Sequence, residues 1–132
     1  MLLVDTNVLA YLLIEGDRTP AAQALYERDS DWRSEAFILV EFSNVLATYV
    51  RTHALTVEEG LALLARAQSM MPSLASASHA HVLETAAQLR ISAYDGRFIS
   101  VAKELGTRLI TEDAKLRSAA PQWTRSIDEA LR

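Results

Sequence analysis

The stretch that decides the fold is the N-terminal sequence MLLVDTNVLAYLL, residues 1–13. Its apolar run at residues 2–4 has the composition of a short buried strand. Asp5 ends that run, polar Thr6 and Asn7 follow, and apolar residues then resume at helical spacing. A carboxylate therefore stands where a buried strand passes into a helix. Its position needs an explanation, because burying a carboxylate without a partner is costly.

The length and composition predict one globular domain spanning residues 1–132. Half of the residues are hydrophobic and 23% are charged, the balance of an ordinary compact protein. The chain has no cysteine, which excludes disulfides and thiol catalysis and suits a reducing, cytoplasmic location. We recognise no N-terminal targeting segment and no apolar run long enough to cross a membrane, so no membrane association is expected.

The formal net charge of −4 argues at first against a nucleic-acid partner. The charge is uneven, since residues 1–66 carry ten acidic and five basic residues and residues 67–132 carry seven and eight. Carboxylates gathered around a divalent cation would present much less negative charge to a phosphate. The charge balance therefore leaves a nucleic-acid substrate open.

Strand-like and helical segments alternate along the chain, which predicts an α/β fold whose mostly parallel sheet is covered on both faces. Helix starts are marked by Thr19 with Pro20, by Ser78, and by capping boxes at Thr56 and Ser92. The predicted strands lie at residues 2–5, within 32–37, weakly at 72–76, and at 107–111 and 123–127. The predicted helices after the first lie at residues 19 onward, 36–53, 56–70, 78–90, 92–105, 113–119 and at the C-terminus.

In parallel sheets, ligands bind beyond the carboxyl ends of the strands, where the strand order reverses. Asp5 follows the first strand and Asp113 lies just past the strand at 107–111, so both acids are expected at one sheet edge. Each also has a simpler explanation. Asp5 can cap the first helix, and Asp113 can lie beside Glu112 in the first turn of a helix capped by Thr111.

Glu41 is the only charged residue of AFILVEFSNVLATYV, residues 36–50. A helix this apolar is expected to be buried nearly all round. Asn44 and Thr48 lie three and seven residues after Glu41, so the three side chains form one polar stripe. Two interpretations stay open for Glu41: a metal ligand or general base facing a wet site, or a buried salt bridge to an arginine.

Asp95 is the third residue of the helix that Ser92 is predicted to cap, where an acid stabilises the helix start. A helix N-terminus also collects anions and their metals. A single hard cation would explain all four carboxylates at once. Oxygen ligands without cysteine or a histidine cluster favour Mg²⁺, with Mn²⁺ as a substitute, over Zn²⁺.

Three segments of the chain, LLVDTNVLAYLL, ILVEFSNVL and SAYDGRFISVAKELGTRLITEDAKLR, resemble the PIN-domain nucleases. The resemblance is greatest to the toxins of VapBC toxin–antitoxin pairs. It implies a three-layer α/β/α fold, Mg²⁺-dependent cleavage of RNA, a homodimer and a cognate antitoxin protein. The residues that match the family's acidic quartet are Asp5, Glu41, Asp95 and Asp113. Asn7 and Thr111 match the polar residues that often support the quartet.

The resemblance departs from the family pattern at Gly96 and Arg97, where many relatives carry small or aliphatic residues. Arg97 and Lys115 flank the acids in sequence and are candidates for binding RNA phosphates, although solvated helix charges explain them equally well. Tyr94 is a candidate for stacking on a base. The predicted surface for a partner consists of the first helix and the helix after it. Its apolar residues on the first helix are Val8, Leu9, Leu12 and Leu13.

Two other functions compete with RNA cleavage. A haloacid-dehalogenase-like phosphatase also begins with an aspartate after the first strand, but Asn7 stands where its second aspartate is needed. A non-catalytic module of the same fold would hold RNA or a partner protein without a metal.

Overall fold

The computed structural model describes all 132 residues, which form a four-stranded sheet and eight helices. The strands are β1 (Leu2–Val4), β2 (Trp32–Arg33), β3 (Leu109–Ile110) and β4 (Thr124–Arg125). The helices are α1 (Thr6–Leu13), α2 (Thr19–Arg28), α3 (Phe37–Arg51), α4 (Val57–Met70), α5 (His79–Leu89), α6 (Ala93–Leu105), α7 (Ala114–Ala119) and α8 (Ile127–Leu131).

The sheet has the strand order β2-β1-β3-β4, and all neighbouring strands are parallel. The chain moves from β1 to β2 on one side and later places β3 and β4 on the other side. The strand order therefore reverses between β1 and β3, where Val4 pairs with Ile110. This confirms the predicted three-layer α/β/α architecture and puts the carboxyl ends of β1 and β3 side by side.

The two central strands lie in the middle of the core, since every residue of β1 and β3 is buried. Continuous apolar burial is typical of parallel strands that are covered on both faces. Large side chains from the surrounding elements complete the core, among them Trp32, Ile38, Phe42 and Ile99. The buried central strands thus fix the positions of the residues that follow their carboxyl ends.

Most predicted helix boundaries are confirmed. Thr56 begins α4 with a complete capping box, and Ser78 and Ser92 accept hydrogen bonds from backbone N–H groups at the starts of α5 and α6. Gly106 ends α6 in the left-handed conformation, with a φ of 63°, which glycine adopts at little cost.

Four local predictions are wrong in detail. Thr19 is the first residue of α2 and not its cap, because its hydroxyl donates to the carbonyl of Tyr11. Ser92 forms only half of a capping box with Asp95, and Asp113 rather than Thr111 caps α7. The segment at 72–76 forms one isolated bridge, Glu35 to Ala75, and no strand. At α7 the Asp113 carboxylate accepts the N–H groups of Lys115 and Leu116, while the Thr111 hydroxyl accepts only the N–H of Asp113.

The burial of the first and third helices differs from the prediction. Val8, Leu9 and Leu13 of α1 are buried in the core, so α1 offers little partner surface. Helix α3 is not buried all round, since only Ile38, Phe42 and Leu46 are buried. The exposed large apolar side chains of α3 and α4 are Val40, Tyr49, Val57 and Leu61. None of the helices combines the length and hydropathy that crossing a bilayer requires.

Candidate active site

Asp5 and Asp113 lie at the point where the strand order reverses. Asp5 follows β1 and caps α1, and its backbone N–H donates to the carbonyl of Ile110 over 3.2 Å. Asp113 comes three residues after β3 and caps α7. The sheet therefore brings together two acids that are more than a hundred residues apart in the sequence, as the strand ends predict.

All four predicted carboxylates line one cavity of about 450 Å³ at this edge of the sheet. Glu41 reaches it from the second turn of α3 and Asp95 from the first turn of α6. Half of the residues that line the cavity are hydrophobic, among them Phe37 and Val40 of α3 and Tyr94 of α6. Four elements from separate parts of the chain thus contribute one carboxylate each.

None of the four carboxylates forms a salt bridge with the protein. Glu41 accepts a hydrogen bond of 2.7 Å from the Thr6 hydroxyl through Oε1, and Oε2 has no partner. Asp113 accepts two backbone N–H groups through Oδ1, at 3.0 and 3.1 Å, and Oδ2 has no partner. Glu41 and Asp113 therefore each use one carboxylate oxygen within the protein and leave the other without a partner.

Burial and mutual repulsion alter the acidity of two of these groups. The pKa of Asp5 is raised to about 6, mainly by burial and to a smaller extent by the charges of Glu41 and Asp113, while hydrogen bonding to Thr111 and Val8 opposes the rise. Burial also raises the pKa of Asp95, with a contribution from the charge of Asp113. Perturbed acids that crowd one cavity are typical of functional sites.

The donor set fits a hard divalent cation. It consists only of carboxylate, hydroxyl and amide oxygens, which Mg²⁺ and Mn²⁺ prefer. As the side chains stand, no three of the acidic or histidine residues are close enough together to ligate one ion. Glu41 and Asp113 each keep one carboxylate oxygen without a protein partner, and these oxygens are available to a cation.

Three polar residues are predicted to support the acids, and all three lie near them. Thr111 is fully buried, its hydroxyl accepts the N–H of Asp113 over 3.1 Å, and the same hydroxyl opposes the rise in the pKa of Asp5. Asn7 and Asn44 line the cavity, but neither side chain hydrogen-bonds to an acid. Sequence reasoning missed Thr6, whose hydroxyl orients Glu41. A signal was present, since Thr6 directly follows Asp5 at the start of the helix.

Arg97 does not face the cavity as a free cation. Its guanidinium forms an ion pair of 3.1 Å with Glu35, which is only 1% exposed, and lies 5.2 Å from the centroid of the Phe37 ring. The Glu35 carboxylate also accepts the backbone N–H of Phe37 over 2.7 Å. The alternative in which Glu41 forms a buried salt bridge to an arginine is therefore wrong, because Arg97 pairs with Glu35 and Glu41 has no basic partner.

The other basic side chains near the site divide into paired and free groups. Arg18 and Arg117 both pair with Glu112, which excludes that acid from the cavity. Lys115 is exposed and has no acidic partner. Of the two residues predicted to bind phosphates, only Lys115 is thus unpaired.

The raised pKa of Asp5 predicts how Asp5→Asn changes stability in a chelator. The unfolded carboxyl titrates near 3.8 and the folded one near 6, so its charge destabilises the fold above pH 6. That penalty disappears as the pH falls from 6 to 4. Asparagine keeps the helix cap without the charge. In EDTA at pH 7.5 the variant should be more stable by up to about 3 kcal/mol, and the difference should vanish near pH 4.

Urea denaturation of both proteins in EDTA, at several pH values between 4 and 7.5, measures this difference. Asp17→Asn is the matched control, because Asp17 is exposed and pairs with no cation. A stability difference for Asp5→Asn that does not change with pH would contradict the assignment of Asp5 to a crowded acidic cavity.

Comparison with known proteins agrees with the fold. A family model described as PIN domain matches residues 2–121. The chain is 24% identical over 124 residues to "Ribonuclease VapC3" of Pyrobaculum aerophilum, covering 91% of this chain and 95% of that protein. The crystal structure of PAE2754 from Pyrobaculum aerophilum superposes with a TM-score of 0.77 at 19% identity. That match covers 98% of this chain and 85% of the other and supports the fold alone.

Proposed function

The chain belongs to the PIN-domain family, and from that premise we propose that it is a divalent-metal-dependent endoribonuclease and the toxin of a toxin–antitoxin pair. The similarity to a relative named Ribonuclease VapC3, which covers 91% of this chain, supports this proposal. We further propose that residues 1–132 act as one nuclease domain. Nothing in the comparisons favours the phosphatase.

The observation that carries the proposal is the set of four carboxylates without a protein cation in one cavity. The other acids near the site are neutralised within the protein, Glu35 by Arg97 and Glu112 by Arg18 and Arg117. The raised pKa values of Asp5 and Asp95 mean that their charged forms destabilise the fold unless something positive binds there. A bound cation explains this cost.

Each acid then has a distinct part in the proposed reaction. Asp5 and Asp95 hold Mg²⁺, or Mn²⁺ in its place, and Glu41 and Asp113 complete the set directly or through water. Thr111 and Thr6 fix the carboxylates that they contact, and Asn7 and Asn44 complete the polar wall. When bound, the metal supplies an acidified water and positive charge beside the phosphate.

The substrate is RNA, and the reaction breaks the bond between phosphorus and the 3′-oxygen. Water adds to phosphorus in line with that oxygen, which leaves as a 3′-hydroxyl while the phosphate stays on the 5′-side of the next nucleotide. Exposed Lys115 is proposed to contact a phosphate, which positions RNA without reading its sequence. Arg97 is removed from that role by its ion pair.

The partners follow from the same proposal. The exposed apolar residues of α3 and α4 supply a surface for a second copy of the chain and for an antitoxin segment, in place of the buried α1. We propose a homodimer in the cytoplasm, held inactive by its antitoxin. Light scattering of the purified chain distinguishes the dimer from a monomer.

The purified protein should cleave an RNA panel in Mg²⁺ and stop cleaving in EDTA, because the carboxylates alone provide no activated water. Expression without an antitoxin should arrest cell growth, and Asp5→Asn should abolish both effects. Treating the fragments with a phosphatase shows whether cleavage leaves a phosphate at their 5′ ends.

Asp17→Asn controls for the substitution itself, because Asp17 is exposed and lies outside the cavity. Metal-independent binding of RNA without cleavage, together with unaffected growth, would instead support the non-catalytic module. Cleavage that survives EDTA would contradict the metal site.

A further inference from the structure

Two aromatic rings stack at the edge of the carboxylate cavity. The rings of Phe37 and Tyr94 are 5.4 Å apart between centroids and inclined by 17°. Phe37 is the first residue of α3, which carries Glu41, and Tyr94 directly precedes Asp95 on α6. Both rings line the same cavity as the four acids. The stack therefore borders the place where the scissile phosphate would lie.

Tyr94 contributes little to the core. Its side chain is 61% exposed, and its hydroxyl makes no hydrogen bond within the protein. One face of the ring is covered by Phe37, so the exposed area includes the other face. An open aromatic face next to a polar cavity is not explained by packing, because burying it would stabilise the fold more.

The ring beneath Tyr94 is held firmly. Phe37 contacts the Arg97 guanidinium, and Arg97 is fixed by its ion pair with buried Glu35. Glu35 also accepts the N–H of Phe37 itself. These contacts hold Phe37 by both its backbone and its side chain, so Tyr94 rests on a preorganised support.

Besides the proposed contact of Lys115 with a phosphate, the protein offers few free cations for binding RNA near this site. The cavity carries four carboxylates, and Arg18, Arg97 and Arg117 are already paired within the protein. Stacking on an aromatic side chain is the usual uncharged means of holding an unpaired base, and every base has a face to offer.

We propose that the open face of Tyr94 stacks on the nucleobase next to the scissile phosphate, so that the Phe37–Tyr94 stack positions single-stranded RNA in the cavity. This inference rests on the proposed ribonuclease function. It adds a substrate-positioning residue and restricts the substrate to RNA whose base at that position is unstacked and unpaired. Binding through a neutral base also makes this part of the affinity insensitive to salt.

The test uses an RNA that the wild-type protein cleaves, and a copy that lacks the base on one or the other side of the cleavage site. Tyr94→Ala and Tyr94→Leu should raise KM about 10-fold or more, with a much smaller change in kcat. Leucine keeps apolar bulk without an aromatic face, and Tyr94→Phe should restore the wild-type KM. Leu83→Ala is the control, because Leu83 is exposed and lies outside the cavity.

The abasic RNA separates stacking from a merely structural role of Tyr94. Removing the correct base should raise the wild-type KM as much as Tyr94→Ala does, and should cost the Tyr94→Ala protein nothing further. Additive effects, or a Tyr94→Leu protein with wild-type KM, would overturn the stacking proposal while cleavage itself stands. A wild-type protein that cleaves no RNA would overturn the ribonuclease proposal and this one with it.

Discussion

The Glu41→Gln variant should lose RNA cleavage by orders of magnitude and yet unfold no more easily than the wild-type protein. Glutamine keeps the size of the side chain and can still accept the Thr6 hydroxyl, so the packing of α3 is unchanged. Its amide is a neutral and poor ligand for a cation. Because Glu41 has no protein cation to lose, the substitution breaks no ion pair.

The stability should even rise in a chelator. The charge of Glu41 is one of the causes that raise the pKa of Asp5, which means that the two carboxylates repel each other in the folded protein. Removing one of them relieves that repulsion. Gains of this kind are common when an active-site group is neutralised, because such sites are arranged for function at the expense of stability.

Two measurements on the same preparations test both halves of this prediction: urea denaturation in EDTA and RNA cleavage in Mg²⁺. Glu84→Gln is the matched control, because Glu84 is exposed on α5 and pairs with no cation. The control should change stability by no more than about 0.5 kcal/mol and leave cleavage intact. A Glu41→Gln protein that is several kcal/mol less stable, yet cleaves normally, would remove Glu41 from the site.

The sequence was sufficient to place the acids wherever a strand end fixes the position. Asp5 follows β1 directly, Asp113 comes three residues after β3, and parallel strands leave their carboxyl ends at one edge. Helix starts were predictable to within a residue, since Ser78, Ser92 and Thr56 each provide a hydroxyl at the cap. These features depend on local chemistry, which the sequence states explicitly.

The sequence was insufficient for features that depend on contacts between residues far apart in the chain. A buried salt bridge of Glu41 to an arginine was an open alternative, and nothing local indicated that Arg97 would pair with Glu35. The same limit explains the exposed face of α3. Its apolar composition does not reveal which side packs on the core, and only the packing against α1 and α4 determines it.

The choice of Glu35 by Arg97 leads to the second large effect, a loss of stability in the Arg97→Met variant. Glu35 is 1% exposed, so removing its partner leaves a buried carboxylate without a countercharge. Breaking such a pair from one side costs about 3–5 kcal/mol. Methionine keeps much of the apolar stem of arginine, so the loss should come mainly from the unpaired charge.

Urea denaturation of Arg97→Met measures this loss, with Arg66→Met as the control, because Arg66 is exposed on α4 and forms no ion pair. Adding Glu35→Gln to Arg97→Met should recover part of the stability, since the double variant buries no charge. If Glu35→Gln made the double variant still less stable, the ion pair would not be the cause. The contrast with Glu41→Gln is then direct: two glutamates six residues apart differ in whether the protein supplies the countercharge. Glu35 has an arginine partner, so losing the ion pair lowers stability. Glu41 has no basic partner, so losing its carboxylate lowers cleavage and not stability.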